Sequence, residues 1–175
     1  LRTYANMENY DPKSDPQNMR VAIALPEGFN PSAGPHRVAI INSTVDGDAS
    51  SVNGMREYYR AVTDAGWICL AVDVEGDEAK RKNVWSTTVH RFFLIHSMLL
   101  EMEAVWPGAA DWQYAPFGYS GGGGYANFVG ARLVKERYEV VGIWNGGSGY
   151  TDSHFAHFFQ PQRAFFRTKY FISWG

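Results

Sequence analysis

Residues 113–133 read Gln113-Tyr-Ala-Pro-Phe-Gly-Tyr-Ser-Gly-Gly-Gly-Gly-Tyr-Ala-Asn-Phe-Val-Gly-Ala-Arg-Leu133. Gln113 to Phe117 predicts a short strand, Gly118 to Gly124 a glycine-rich turn, and Tyr125, Phe128, Val129, Ala131 and Leu133 the apolar face of a helix. Between strand and helix, Gly118-Tyr119-Ser120-Gly121-Gly122 is a G-x-S-x-G sequence. A chain that passes this abruptly from strand to helix forces the serine into a strained backbone conformation, and glycines two residues to either side let the two elements approach. The hydroxyl is then presented at the carboxyl edge of the sheet. The first amides of the helix make the same place favourable for developing negative charge. Gly123 and Gly124 fall in the first helical turn, where each is worth about 1 kcal/mol less than alanine, so close packing or a ligand near the backbone has to offset them.

The alternation of strand and helix extends in both directions. Arg20 to Leu25 and Arg37 to Asn42 are apolar runs that predict two neighbouring strands joined by a loop rich in proline and glycine. Met55, Tyr58, Tyr59, Val62 and Ala65 pattern a helix, with Asn53 as its N-cap and Gly66 as its stop, and Trp67 to Val72 is a third apolar run. Strand, helix, strand is a βαβ unit, which requires parallel neighbours. A second helix, capped by Ser86 and ended by Pro107-Gly108, carries Val89, Phe92, Phe93, His96, Leu99 and Leu100 on one side. Val140 to Trp144 and Lys169 to Trp174 predict two further strands, the last of them buried. The fold class is α/β, a mostly parallel sheet with helices on both faces. It occupies one domain, 20–175, preceded by an irregular arm over 1–19.

Of 175 residues, 45% are hydrophobic and 19% charged, which is ample apolar material for one core. With 16 basic and 18 acidic residues the formal net charge is −2, and no basic face stands out, so nucleic acid is not an expected partner. No apolar run approaches the roughly 20 residues that span a bilayer. The longest, Phe92 to Leu100, is interrupted by His96 and Ser97, so the segment reads as soluble, in the cytoplasm or secreted. A single cysteine, Cys69, cannot close an internal disulfide and reads as a buried, inert thiol. The sequence sets no oligomeric state. It starts at Leu1 and stops at Gly175 directly after a predicted strand, which leads us to expect part of a longer protein.

Several readings compete at the glycine-rich turn. Gly121-x-Gly123-x-x-Ala126 fits the loose dinucleotide pattern, but the next strand ends in Trp144-Asn145-Gly146, with no acid to hold a ribose. A Walker loop is excluded, because the chain contains no Gly-Lys pair. An incidental serine in a turn is the bland alternative. Asp152, His154 and His157 follow the Val140 to Trp144 strand, but Asp-x-His-x-x-His matches no strong zinc spacing, so no metal is expected. With Phe155, Phe158 and Phe159 these histidines equally make an aromatic lid or helix. His90 and His96 read as helix residues and His36 as a surface residue. Glu136 and Glu139 read as solvated charges at the far end of a helix. Asp46, Asp48, Glu75, Asp77 and Glu78 read as loop charges in water, as does Asp73, whose alternative is a hydrogen bond to local backbone.

The order of elements, with Gly118-Tyr-Ser-Gly-Gly122 after the central strand and Arg20-Val-Ala-Ile-Ala-Leu-Pro-Glu-Gly-Phe-Asn-Pro31 ahead of it, resembles the amino-terminal two-thirds or so of an α/β-hydrolase of the esterase and peptidase-like branches. The resemblance implies Ser120 as nucleophile and the Gly121 amide as one oxyanion donor. It implies a second donor, Thr44 or Val45, in the loop after Arg37 to Asn42. Many members carry His-Gly or His-Gly-Gly-Gly there, whereas this chain has Asn42-Ser-Thr-Val-Asp-Gly47; a backbone amide needs no particular side chain. A serine needs a base and an acid to orient that base, and in this fold both follow the serine, acid first. Asp152 is the candidate acid within the chain and His154, or His157, the candidate base. The family histidine normally follows the last strand, so the resemblance also implies that base and acid lie beyond Gly175 and that this stretch alone is inactive. The implied reaction is hydrolysis of a small-molecule carboxylic ester, or secondarily an amide, through an acyl-enzyme and without a cofactor. Tyr119 and Tyr125 are expected to line the substrate, which would suit a bulky or ring-bearing group. A non-catalytic binding or scaffold protein on the same fold is the alternative, and dinucleotide binding a third reading.

Overall fold

The computed structural model describes residues 19–43, 51–54, 56–74, 84–147 and 167–173. Its strands are β1 (Met19–Ala24), β2 (Arg37–Asn42), β3 (Ile68–Val74), β4 (Gln113–Tyr119), β5 (Glu139–Val140), β6 (Gly142–Gly146) and β7 (Lys169–Ser173). Its helices are α1 (Ser51–Gly54), α2 (Arg56–Asp64), α3 (Val84–Val105) and α4 (Gly121–Lys135), with a 3-10 turn at Pro107–Asp111. The sheet order is β1-β3-β2-β4-β6-β7, with β5 also paired to β4. Every pairing is parallel except β1 with β3.

The first two strands are therefore not neighbours, contrary to expectation. Both edges of β2 are taken, by β3 and β4, while β1 runs antiparallel along β3. That register sets Arg20 opposite Asp73, and the guanidinium lies 3.6 Å from the carboxylate.

Strand residues alternate between two apolar layers, as a sheet covered on both faces requires. Val38, Ile40, Leu70, Tyr114 and Ile143 join Phe92, Leu99, Phe128 and Leu133 in the larger core, beneath α3 and α4. Ala39, Ile41, Cys69 and Ala71 face the other way, against Tyr58, Tyr59 and Val62 of α2. Cys69 is buried, and burial pushes its thiol pKa up to about 12, so the inert-thiol expectation holds.

The single strand expected at Val140 to Trp144 is divided. Tyr114 pairs with Val140 and Phe117 with Trp144, so β5–β6 contains one residue more than β4 over this interval, a bulge at Val141. Pro116 of β4 falls in the same interval. A residue without an N–H is tolerated in a central strand where the ladder is interrupted. The last strand also departs from expectation. Tyr170, Phe171 and Ile172 are about half exposed rather than buried, because β7 is paired only with β6 among the described residues.

Helix ends follow local chemistry unevenly. Gly66, at φ +78°, stops α2 as expected: its N–H donates to Thr63 O at 2.9 Å and that of Trp67 to Val62 O at 3.1 Å, a Schellman motif. Asn53 lies inside α1, and Ser86 lies inside α3. α3 ends at Val105, just ahead of Pro107. Among the described residues no helix is long and apolar enough to cross a membrane, and no cluster of His, Cys, Asp and Glu could hold a metal ion.

Candidate active site

β4 passes into α4 through one residue, Ser120. Its backbone sits at φ 54°, ψ −128°, a combination that side-chain-bearing residues rarely adopt. Two hydrogen bonds hold it there. The Ser120 N–H donates to Gly146 O at the end of β6, 2.7 Å away, and the Ser120 carbonyl accepts the Gly123 N–H at 2.9 Å. The serine is partly exposed, and Gly122, Gly123 and Gly124 behind it are buried.

Two glycines of the turn are steric necessities. A Cβ on Gly118 would run into the carbonyl of Gly122, and one on Gly122 into the carbonyls of Asn42 and Ser43 at the end of β2. Three backbones thus converge below Ser120. The Asn42 side chain ties two of them, its Nδ2 donating to Ile40 O at 3.0 Å and to Phe117 O at 3.1 Å. α4 carries no acidic residue in its first turn and has Arg132 and Lys135 in its last. Its first amides have no acceptor four residues back within the helix, so the positive end of the helix lies at Ser120 uncompensated by a carboxylate on the helix itself.

Tyr119 is 49% exposed beside the serine, and its ring lies over Gly147, where a Cβ would stand 2.5 Å from the ring. Behind it Phe117 stacks on Trp144 at 4.1 Å, with Tyr58 5.0 Å from Phe117. Burial, then the neighbouring Glu57 and Tyr119, raise the Tyr58 hydroxyl pKa above its usual value. This aromatic shelf continues into an open groove of about 980 Å³ on the α2 face, lined by Ala115, Phe117, Trp144 and Phe171 among others; Ser120 is not part of it.

Tyr125 does not line the site. It lies in the core with 1% of its surface exposed, against Phe128, because its position on α4 faces inward. Burial raises its hydroxyl pKa strongly. Thr44, Val45, Asp152, His154 and His157 lie outside the described residues, as do Asp46, Asp48, Glu75, Asp77 and Glu78.

Of the remaining histidines and acids, several stand at the opposite edge of the sheet. Glu136 meets Arg132 at 3.6 Å, and Glu139 accepts a hydrogen bond from Gln113 at the start of β4. The carbonyl of His36 accepts the Gln113 N–H, and its ring packs on Phe29 and Trp112 at 4.8 and 4.9 Å, so it sits half-buried in an aromatic cluster at the surface. His96 is buried between Phe92 and Tyr138. Burial lowers its pKa and Arg132 lowers it further, against the opposing pull of Glu136 and Glu103.

Asp73 is the residue whose place differs most from its reading. It is 2% exposed, not solvated, and its carboxylate accepts the N–H groups of Ser51 and Val52 at 2.6 and 2.9 Å. Its partners lie 22 and 21 residues earlier, so no local pattern could have shown them.

No protein-family profile matches the sequence, and no curated protein matches it. Solved structures do. A Xanthomonas campestris protein described as an α/β serine hydrolase without a lid superposes with a TM-score of 0.57 at 14% identity, over 88% of this chain and 64% of that one. Brefeldin A esterase, a bacterial homologue of human hormone-sensitive lipase, gives 0.51 at 15% identity over 80% of this chain and 40% of its own. A proline iminopeptidase from Mycobacterium smegmatis gives 0.50 at 16%, over 74% of this chain and 40% of its own. The chain thus spans less than two thirds of each of these proteins. Its fold is that of the α/β serine hydrolases, a group that includes both esterases and peptidases.

Proposed function

We propose that this chain carries the nucleophile of a serine hydrolase that cleaves a carboxylic ester through an acyl-enzyme on Ser120. The observation that carries the reading is the backbone of Ser120, held at φ 54°, ψ −128° between a strand end and the glycine-rich start of a helix. Strain of this kind costs of order 1–3 kcal/mol and is retained where it serves a function. The Ser120 oxygen would attack the ester carbonyl carbon while its proton passes to a base. The alcohol then departs with a proton, and water releases the acid from the serine. The Gly121 amide is one proposed donor to the oxyanion, with the second from Thr44 or Val45. Within this chain the candidate acid is Asp152 and the candidate base His154 or His157; His36 and His96 sit at the opposite edge and in the core. The exposed ring of Tyr119 is proposed to face the acyl or alcohol group, favouring a ring-bearing small-molecule ester.

Covalent labelling with a fluorophosphonate tests the assignment. Labelling is expected in the full-length wild-type protein and lost in Ser120→Ala. Labelling that survives this substitution refutes Ser120, and a wild-type protein that does not label at all favours a binding role on the same fold.

A further inference from the structure

The buried carboxylate of Asp73 is joined to the reacting end of the sheet by a continuous series of contacts. A buried carboxylate is costly unless hydrogen bonds take up its lone pairs. Oδ1 accepts the Ser51 N–H at 2.6 Å, and Oδ2 accepts the Val52 N–H at 2.9 Å and lies 3.6 Å from the Arg20 guanidinium. These are the first amides of α1. A helix is ordinarily capped by the side chain just before it, which leaves it free to move against the sheet. Here the cap comes from β3, so the same bonds fix α1 to the sheet. Ser51 passes the constraint on, because its hydroxyl oxygen accepts the N–H of Ser43, immediately after β2, at 3.0 Å. The carbonyls of Asn42 and Ser43 in turn close on Gly122, two residues past Ser120.

We propose that Asp73 is a positioning residue for the hydrolytic reaction: through Ser51 it fixes Ser43, and through the Asn42 and Ser43 carbonyls it fixes the turn at Gly122, and so the neighbouring Gly121 amide as oxyanion donor. The proposal rests on Ser120 being the nucleophile. Oxyanion donors act only when about 2.7–3.1 Å from the developing charge, and a displacement near 1 Å costs on the order of 100-fold in rate. Asp73 therefore acts on the transition state and leaves ground-state binding alone.

The test uses the whole protein, p-nitrophenyl acetate as ester and a fluorophosphonate as label. Ser120→Ala is read first: persistent labelling, or a wild type that neither labels nor turns over, removes the reading and this proposal with it. With labelling lost in that variant, Asp73→Asn, which preserves shape but has one acceptor oxygen in place of two, is expected to lower kcat about 10- to 100-fold with KM nearly unchanged. Ser51→Ala is expected to act in the same direction, and Ser51→Thr, which keeps the hydroxyl, to retain wild-type kcat. The double variant Asp73→Asn/Ser51→Ala is expected to be no slower than the slower single. Wild-type kcat in Asp73→Asn, an effect confined to KM, or multiplying single effects would overturn the proposal. Should Asp73→Asn fail to fold, the two Ser51 variants decide alone, and equal kcat in both overturns it.

Discussion

Ser120 and Arg137 are the two residues other than glycine with positive φ among those described, and they flank the same helix. Arg137, at φ 70°, follows α4 at the position that glycine most often occupies. The Arg137 N–H donates to Val134 O at 3.1 Å and that of Tyr138 to Leu133 O at 3.0 Å, the same Schellman pattern that Gly66 makes after α2. Its strain is the ordinary cost of ending a helix without glycine. Ser120 departs further, since φ 54° combined with ψ −128° lies outside the left-handed helical well, where ψ is near +47°. Nothing about ending a strand or starting a helix requires that geometry in a side-chain-bearing residue. The strain at Arg137 is accounted for by the fold; that at Ser120 is not, and the proposed chemistry is what would account for it.

Substitutions can break this contrast or sharpen it. The largest effect is expected for Ser120→Gly, which should abolish fluorophosphonate labelling, at least about 10³-fold, while stabilising the fold by about 1 kcal/mol through relief of strain. Urea denaturation beside the labelling assay checks both halves, and a loss of stability would end the contrast. Gly122→Ala comes next, at about 3 kcal/mol of destabilisation, because a Cβ there meets backbone carbonyls that cannot rotate away. Its midpoint of chemical unfolding measures this. Gly66→Ala, which creates at the end of α2 the situation Arg137 has at the end of α4, should cost about 1 kcal/mol by the same measurement. Arg137→Gly should be the mildest, a gain of about 0.5 kcal/mol after glycine's own entropy is counted, with labelling unchanged. A large loss in Arg137→Gly would show its side chain holding the fold in a way its backbone does not suggest.

The parts legible in the sequence are those governed by neighbours along the chain. β2 occupies Arg37–Asn42 as its apolar run predicts, Gly66 ends α2, and strand gives way to helix at Ser120 as the glycines imply, although the turn is that one residue and not Gly118 to Gly124. What was hidden depends on partners distant in sequence. Nothing near Asp73 announces that it caps a helix 21 residues earlier, and nothing in Arg20 to Leu25 reveals that its strand pairs with β3 and not β2. Tyr125 fits a surface reading as well as a core one until α3 is known to lie over it. The strained turn at Ser120 was legible, and the frame that holds the neighbouring backbone was not.

The bulge at Val141 has a consequence for how side chains are sorted. Val140 and Ile143 both belong to the core beneath α4, although residues three apart in an unbroken strand point to opposite faces. The extra residue resets the phase. Carried without it, the register of Val140 would place Ile143 beside Phe117, turn Trp144 toward α4, and send Ile143 away from Gly130, whose missing side chain leaves it room. A one-residue change of count therefore decides which face receives the indole. It also decides whether the strand ends with the carbonyl of Gly146 in reach of the Ser120 amide.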